Sequence, residues 1–364
     1  MLHDTQAAAL AAIGLTPALR RHIETLGWPP TAPFLRRVIE VQRDALTLHD
    51  GEHAHPARLL PALHLGHAPH DGLAVGDWVH AARDVHGRWW VHARVPPLTQ
   101  LARRQHDGRQ KSVRAVIVSN VDTALLVMGL DHDFNLRRLE RYLALARLSA
   151  VEPVVVLSKA DLCDPAYAER RLHEVCAMLP PGVDALALDA TGDEARSALA
   201  RWMLPGRTLV LLGSSGAGKS TLTNALLGEH RQDTGASRAG DSRGHHTTTA
   251  RSLHVLPGGA CIIDTPGLRT LRLDADMTAL SGVFDEIAQG ALHCRFRNCR
   301  HQDEPGCAVR EQVAPERLRN FHRMARELRR DAMSALERGE QRQQWKVRHK
   351  AARARDRQKH GDSG

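Results

Sequence analysis

The sequence predicts a multi-domain α/β protein. A small β-barrel is followed by a wrapped α/β nucleotide-binding domain and then by a helical C-terminal region held by a metal. Three observations predict this order. Short alternating segments separated by turn pairs fill residues 33–100. From residue 113 strand-like and helix-like segments alternate, and one strand leads into a complete phosphate-binding loop. Three cysteines and a histidine then fall between residues 294 and 307.

The bulk numbers agree. A chain of 364 residues, 42% hydrophobic, can support two or three cores. The formal charge is +9 and the pI about 9.7. That balance favours a polyanionic partner, nucleic acid before an anionic membrane surface. No apolar run approaches the ~20 residues of a membrane span, which argues against a membrane-embedded protein. The opening stretch MLHDTQAAALAAIGL lacks a basic region and a long apolar core, so it is not read as a signal peptide and the expected location is the cytoplasm. In such a chain, clustered thiols point to a metal rather than to disulfides.

Taken in order, residues 1–32 are an N-terminal extension that starts with an Ala-rich helical stretch and ends at Trp28-Pro29-Pro30. Residues 33–100 carry strand-like segments at 35–41, 57–63, 76–81 and 88–94, with turn pairs Asp50-Gly51, Asp71-Gly72 and His86-Gly87 between them. Several short strands in that length suit an OB-fold barrel, a common RNA-binding module. Residues 101–112 read as a basic polar connector, the start of a nucleotide domain that runs to residue 275. Its strands are expected at 113–118, 123–130, 153–157, 185–188, 207–212 and 260–263, and its helices at 135–149, 165–178, 194–203 and 220–227. That alternation gives a mostly parallel sheet covered on both faces. Residues 276–335 are expected to be a helical zinc-binding domain, and 336–364 a basic tail.

The chemistry sits in a few motifs. Gly213-Ser214-Ser215-Gly216-Ala217-Gly218-Lys219-Ser220 is a P-loop, with Thr221 following it into the helix. Its glycines let backbone N–H groups turn onto phosphate oxygens, and the helix points its positive end at them. Lys219 is expected to reach the β- and γ-phosphates and Ser220 to hold Mg²⁺. Ser158-Lys159-Ala160-Asp161 ends another strand. Asp161 can accept two hydrogen bonds from the guanine N1 and N2 groups, which adenine cannot offer, and Lys159 can lie over base and ribose. Ser158 stands where Asn is usual, which removes an amide contact and predicts lower nucleotide affinity. Asp189-Ala190-Thr191 is a weaker candidate for a further base contact. The base-reading motif precedes the P-loop, the reverse of the usual order, so the domain reads as a circularly permuted P-loop GTPase.

Asp264-Thr265-Pro266-Gly267 follows the apolar run Cys261-Ile262-Ile263, about 45 residues past the P-loop. Asp264 can hold Mg²⁺ through water, and Gly267 can offer its N–H to the γ-phosphate. Gly244-His245-His246-Thr247-Thr248-Thr249 lies between. Thr247 or Thr248 is expected to complete the Mg²⁺ shell. Leu268 occupies the place of the glutamine that positions water in many GTPases. Either the intrinsic rate is very low or His246 or His245 supplies the function, and a low rate calls for a stimulating partner.

Cys294, Cys299, His301 and Cys307 offer three thiolates and one imidazole, a tetrahedral zinc set with no open position, hence one structural ion per chain. Cys163, Cys176 and Cys261 read as buried small hydrophobes. A helix at 315–330 with six arginines, and the tail with Arg342, Lys346, Arg348, Lys350, Arg353, Arg355, Arg357 and Lys359 around Trp345, suit contact with phosphate backbones.

Together these residues resemble the ribosome small-subunit-dependent GTPase A family (RsgA, also called YjeQ). The resemblance runs from about residue 35 and adds Val75-Gly76-Asp77-Trp78-Val79, Asp133-Phe134-Asn135-Leu136-Arg137-Arg138 and the Cys294–Cys307 loop to the motifs above. It implies an OB-fold, a permuted GTPase domain and a C-terminal zinc domain. It also implies late maturation of the small ribosomal subunit, with rRNA and that subunit as partners and hydrolysis of GTP to GDP stimulated there. The chain is expected to act as a monomer. Where family switches often read Arg-His, this chain has His245-His246, and the family pattern leaves residues 1–32 unexplained. Two other readings fit the residues: a GTP-gated RNA-binding protein without significant turnover, and a GTPase with a non-ribosomal protein partner.

Overall fold

The computed structural model describes residues 4–27, 34–42, 45–61, 72–106, 112–228, 251–265 and 277–332. Its chain divides into two compact units, residues 1–103 with 114–271, and residues 104–113 with 272–364.

In the first unit, β1 (Phe34–Val41), β2 (Leu46–His49), β3 (Ala54–Leu59), β4 (Trp78–Arg83) and β5 (Trp89–Arg94) form a barrel. The ladders run β1-β2-β3-β5-β4 and close from β4 back onto β1. β3 and β5 are parallel and the other neighbours antiparallel. This is the closed five-stranded arrangement of an OB-fold. Alternation supplies its interior: Val38, Leu48, Val79, Ala81, Trp89 and Val91 are buried together. The sequence reading misses β2, and the strand expected at 57–63 lies at Ala54–Leu59 instead.

Residues 101–112 are not a mere connector. β6 (Gln100–His106) and β7 (Ser112–Ser119) form a separate two-stranded sheet. Leu101 and Ala102 are buried while Arg103 and Arg104 remain half-buried, so charge conceals a strand pattern. Nor are residues 4–27 an appendage. α1 (Asp4–Ala11) and α2 (Pro17–Thr25) bring Leu10, Ile13, Leu15, Leu19 and Ile23 into one cluster with Leu35, Trp78 and Val95. α2 starts at Thr16, whose hydroxyl accepts from the Leu19 N–H, with Pro17 at the first helical position. The guanidinium of Arg37, fully buried, donates to the carbonyl of Ile13, to the carbonyl of Asn120 at 3.1 Å and to the Thr208 hydroxyl at 3.0 Å. One side chain thus ties the extension, the barrel and the nucleotide-binding half.

That half contains β8 (Thr123–Gly129), α3 (Leu136–Leu148), β9 (Glu152–Ser158), α4 (Pro165–Met178), β10 (Asp184–Ala187), α5 (Asp193–Leu199), β11 (Thr208–Leu212), α6 (Lys219–Leu227), β12 (Ser252–Val255) and β13 (Cys261–Asp264). β8 and β11 are buried along their whole lengths, as parallel strands covered on both faces should be. The expected helix at 194–203 becomes α5 plus a 3₁₀ turn at Ala200–Trp202. The spatial order is β10-β9-β8-β11-β13-β12, all parallel except β12. Counted from β11 as the first strand, it reads 6-5-4-1-3-2. That is one doubly wound sheet whose chain has been opened between its third and fourth strands. β12 also meets β1 at Glu40 opposite Ser252, so the sheet continues into the barrel.

The second unit holds α7 (Met277–Ser281), α8 (Asp285–Ala291), α9 (Ala308–Gln312) and α10 (Pro315–Ala332). Leu280, Phe284, Ile287, Val309, Phe321, Met324 and Leu328 are buried. Phe284 meets Phe321 edge-on at 5.4 Å and 70°. No described helix is long and apolar enough to cross a membrane.

Candidate nucleotide site and metal centre

The P-loop leaves the carboxyl end of the central strand β11 and enters α6 at Lys219, the position where backbone N–H groups and a helix N-terminus favour an anion. Two glycines are required there by geometry. A Cβ on Gly213 would lie 2.4 Å from the Val127 carbonyl oxygen of the neighbouring strand. Gly218 has φ +86° and would place a Cβ 3.2 Å from Ser158 Oγ. Lys219 is buried and its Nζ donates to the carbonyls of Gly213 at 3.0 Å and Ser214 at 2.5 Å. Burial pushes its pKa below the ordinary lysine value, while Asp264 and Asp133 pull it upward. Ser215 and Gly216 are exposed at the loop's tip; Ser220 and Thr221 are half-buried on the first turn of α6.

Asp264 ends β13, next to β11, and is buried. Thr265 follows, fully buried, and its hydroxyl donates to the Leu211 carbonyl at 2.7 Å, pinning the strand end beside the P-loop. Pro266, Gly267, Leu268, His245, His246, Thr247 and Thr248 lie outside the described residues, as does the 336–364 tail.

The segment Ser158–Asp161, expected to read the base, begins at the end of β9, two strands from β11. Ser158 is fully buried, and its hydroxyl donates to the Ala217 carbonyl of the P-loop at 2.7 Å. The residue that stands in place of Asn therefore makes a direct tie between the end of β9 and the P-loop. Lys159 takes the left-handed conformation, φ 63° and ψ 32°, and its Nζ is 2.7 Å from Asp131 Oδ2. Ala160 N–H reaches the Leu188 carbonyl at 3.3 Å, which brings residues 189–191 alongside. Asp161 sits exposed in the 3₁₀ turn Ala160–Leu162. Asp189 Oδ1 accepts from the Thr191 N–H at 2.8 Å, a local turn.

Two residues without an assigned role in the motifs belong to this site. Asp133 accepts from the Ser214 hydroxyl, the Gly129 N–H and Arg138. Asp131 accepts from Lys159. No phosphate- or base-binding signature contains either, and only the short Asp-Phe-Asn run marks the place in the sequence.

In the second unit the ligand atoms of Cys294, Cys299, His301 and Cys307 all lie within 4.8 Å of one another. Cys294 Sγ and Cys307 Sγ are 3.9 Å apart, and both approach His301 Nδ1, at 3.6 Å and 3.4 Å. Bonds of about 2.3 Å to sulfur and about 2.0 Å to nitrogen put the edges of a tetrahedron at ~3.8 Å and ~3.5 Å. The donors are spaced for one tetrahedral ion, and the set can hold a metal. His322 Nε2 lies 3.1 Å from the carbonyl of His301 and supports the loop from α10. Glu304 accepts the N–H groups of Arg300 and Gln302, each at 2.9 Å. Of the other cysteines Cys261 is buried, Cys163 half-buried and Cys176 exposed, so Cys176 is not the small core residue its helical context suggests.

A family model described as RsgA GTPase matches residues 96–274. A relative from Opitutus terrae, "Small ribosomal subunit biogenesis GTPase RsgA", is 46% identical over 280 residues, covering 73% of this chain and 74% of its own. One of the same name from Xylella fastidiosa (strain Temecula1) is 42% identical over 336 residues, covering 85% and 94%. Among solved structures, YjeQ from Thermotoga maritima matches with TM-score 0.58 at 24% identity, over 81% of this chain and 98% of that one. YloQ, described as a circularly permuted GTPase, matches with TM-score 0.58 at 19% identity, over 84% and 98%. These structures share the fold: barrel, permuted α/β core and C-terminal helices. With a P-loop, an acidic strand end and the Ser158–Asp161 turn gathered on one edge of a permuted sheet, the chain belongs to the RsgA GTPase family and is a GTP-hydrolysing enzyme.

Proposed function

We propose that this GTPase binds the small ribosomal subunit and its rRNA, hydrolyses GTP when that subunit stimulates it, and assists the subunit's late maturation. The observation that carries the reading is the permuted connection. Asp264 ends the strand beside the P-loop, and the chain leaves it for residues 272–364 of the second unit, which carry the Cys/His cluster. In an unpermuted GTPase the same switch returns into its own domain. Here a movement that senses the γ-phosphate feeds a basic, metal-held module. The partner comes from the relatives' name, and the +9 charge suits rRNA.

The roles divide by position. Gly213–Ser220 cradle the phosphates, Lys219 offsets β/γ charge, and Thr221 extends the helix end that faces them. Ser158–Asp161 read guanine, with Asp161 setting base choice and Lys159 covering base and ribose. Mg²⁺, when bound, neutralises phosphate charge; Ser220, Thr247 or Thr248, and Asp264 through water would hold it. Gly267 offers an N–H to the γ-phosphate, and His246 orients the attacking water in place of a glutamine at Leu268. Water attacks the γ-phosphorus, the bond to the β-γ bridging oxygen breaks, and GDP and phosphate leave. Zinc suits Cys294, Cys299, His301 and Cys307 because three thiolates and an imidazole fill a tetrahedron, making the centre structural. The protein acts as a monomer in the cytoplasm: the GTP form docks, hydrolysis occurs on the subunit, and the GDP form departs.

The test is GTP turnover alone, with small subunits, and with large subunits. Strong stimulation by small subunits alone is expected. Tight GTP binding with no turnover under any condition would favour a GTP-gated RNA binder, and turnover indifferent to subunits a different protein partner.

A further inference from the structure

We infer that the loop from Leu130 to Asn135, between β8 and α3, is a bracket that sets the P-loop and the base-reading lysine in register through two separate carboxylates. Asp133 acts on the phosphate side and Asp131 on the base side. Both are positioning residues for the nucleotide site, so the inference rests on the nucleotide reading above.

The loop is itself fixed before any ligand arrives. Its start is pinned where the Leu130 N–H donates to the Ser158 carbonyl at 3.0 Å. Its middle is closed by Asp131: Oδ1 accepts the Asp133 N–H at 3.0 Å, and the Asp131 carbonyl accepts the Phe134 N–H at 3.0 Å. Its end is the N-cap of α3, where Asn135 Oδ1 accepts the Arg138 N–H at 3.0 Å. Phe134 is covered by the Arg171 guanidinium, 4.7 Å from its ring centre.

From this frame two carboxylates reach out in different directions. Asp133, 7% exposed, accepts the Ser214 hydroxyl on Oδ1 at 2.5 Å and the Gly129 N–H on Oδ2 at 3.2 Å. Arg138 Nη2 lies 2.5 Å from the same Oδ1 and donates to it. Ser214 is the P-loop residue whose carbonyl accepts Lys219 Nζ, so Asp133 fixes the peptide on which the phosphate-binding lysine rests. Asp131 Oδ2 holds Lys159 Nζ at 2.7 Å. Partial burial opposes ionisation of Asp131, yet Lys159 and the Asp133 N–H outweigh it and hold the carboxyl below its ordinary value. Lys159, already turned into the left-handed region, is thereby aimed rather than free to swing. Preorganisation of this kind lowers the ordering cost of binding.

The two arms predict separable losses, read by equilibrium binding of GDP and of inorganic pyrophosphate to the full chain. Asp133→Ala should weaken both ligands by roughly tenfold, the effect of orphaning a half-buried hydroxyl and loosening the loop. Ser214→Ala should reproduce that loss, and the double variant should be no weaker than either single, because the two act through one bond. Asp131→Ala should weaken GDP by a similar factor while pyrophosphate stays within about twofold. Asp133→Asn, which keeps an acceptor for Ser214 but not the charge facing Arg138, should fall between, and serves if the alanine variant does not fold. Multiplied losses in the double variant, or an Asp131 effect as large on pyrophosphate as on GDP, would overturn the bracket. Failure of the unaltered chain to bind GDP would instead sink the nucleotide reading itself.

Discussion

Ser158→Ala is the sharpest probe of how the two halves of the nucleotide site are joined. Ser158 Oγ and the Ala217 carbonyl meet at 2.7 Å, and both residues are 0% exposed. Removing the hydroxyl leaves the buried Ala217 carbonyl without its side-chain donor. Orphaning a buried acceptor costs about 1–3 kcal/mol. In a unit of this size that corresponds to a fall of about 3–9 °C in the thermal transition that GDP shifts. The lost bond joins two segments proposed to meet opposite ends of one nucleotide, so GDP affinity should also drop by about tenfold as binding takes on the cost of ordering them. Thermal unfolding with and without GDP, together with a fluorescent-GDP titration, reads both quantities. A variant whose transition and affinity both match the parent, within about 1 °C and about twofold, would refute the claim that Ser158 works as a tie in place of Asn.

Other consequences can be checked alongside. Cys294→Ser should abolish the metal binding proposed for the Cys/His set, measured by elemental analysis, and collapse protection in residues 277–332 while GDP binding persists; loss of both together would show that the two units are not separable. Arg37→Met keeps the apolar stem but strips donors from the Ile13 and Asn120 carbonyls and Thr208, so stability should fall by about 3 kcal/mol or more, with proteolysis entering near residue 14 first. Asp50 is partly buried, which opposes ionisation, yet His55 and the N–H groups of His53 and Glu52 hold its carboxyl well below the usual carboxylate range. A depressed carboxylate contributes stability that is present above its unfolded pKa and lost as pH falls toward the folded value. Acid unfolding of the barrel should therefore steepen below about pH 4, and Asp50→Asn should lower stability at neutral pH and flatten the acid limb.

The P-loop, the Ser158–Asp161 turn, the acidic strand end and the Cys/His set stand out in the sequence because each is a local pattern of particular residue types. The order of two of them even revealed the permutation, since motif order is a property of the chain alone. The alternating strands of the barrel and the buried runs of β8 and β11 were legible for the same reason: burial on one face or on two writes a period into the sequence. What escaped were features whose logic lies in a distant partner. Residues 101–112 look like a linker because their arginines mask a strand that gains its neighbour only from β7. Ser214 looks like a neutral P-loop position until Asp133, far away in the chain, accepts its hydroxyl. Ser158 looks like a weakened Asn until the Ala217 carbonyl is found beside it. The extension at residues 1–32 has no motif at all, and its role is set by where Arg37 finds acceptors. Sequence by itself determined which groups could do the chemistry, because charge, hydroxyl and thiol are carried by single residues. Only tertiary structure decided which of them touch, because a hydrogen bond needs its partner within about 3 Å and chain separation says nothing about that distance.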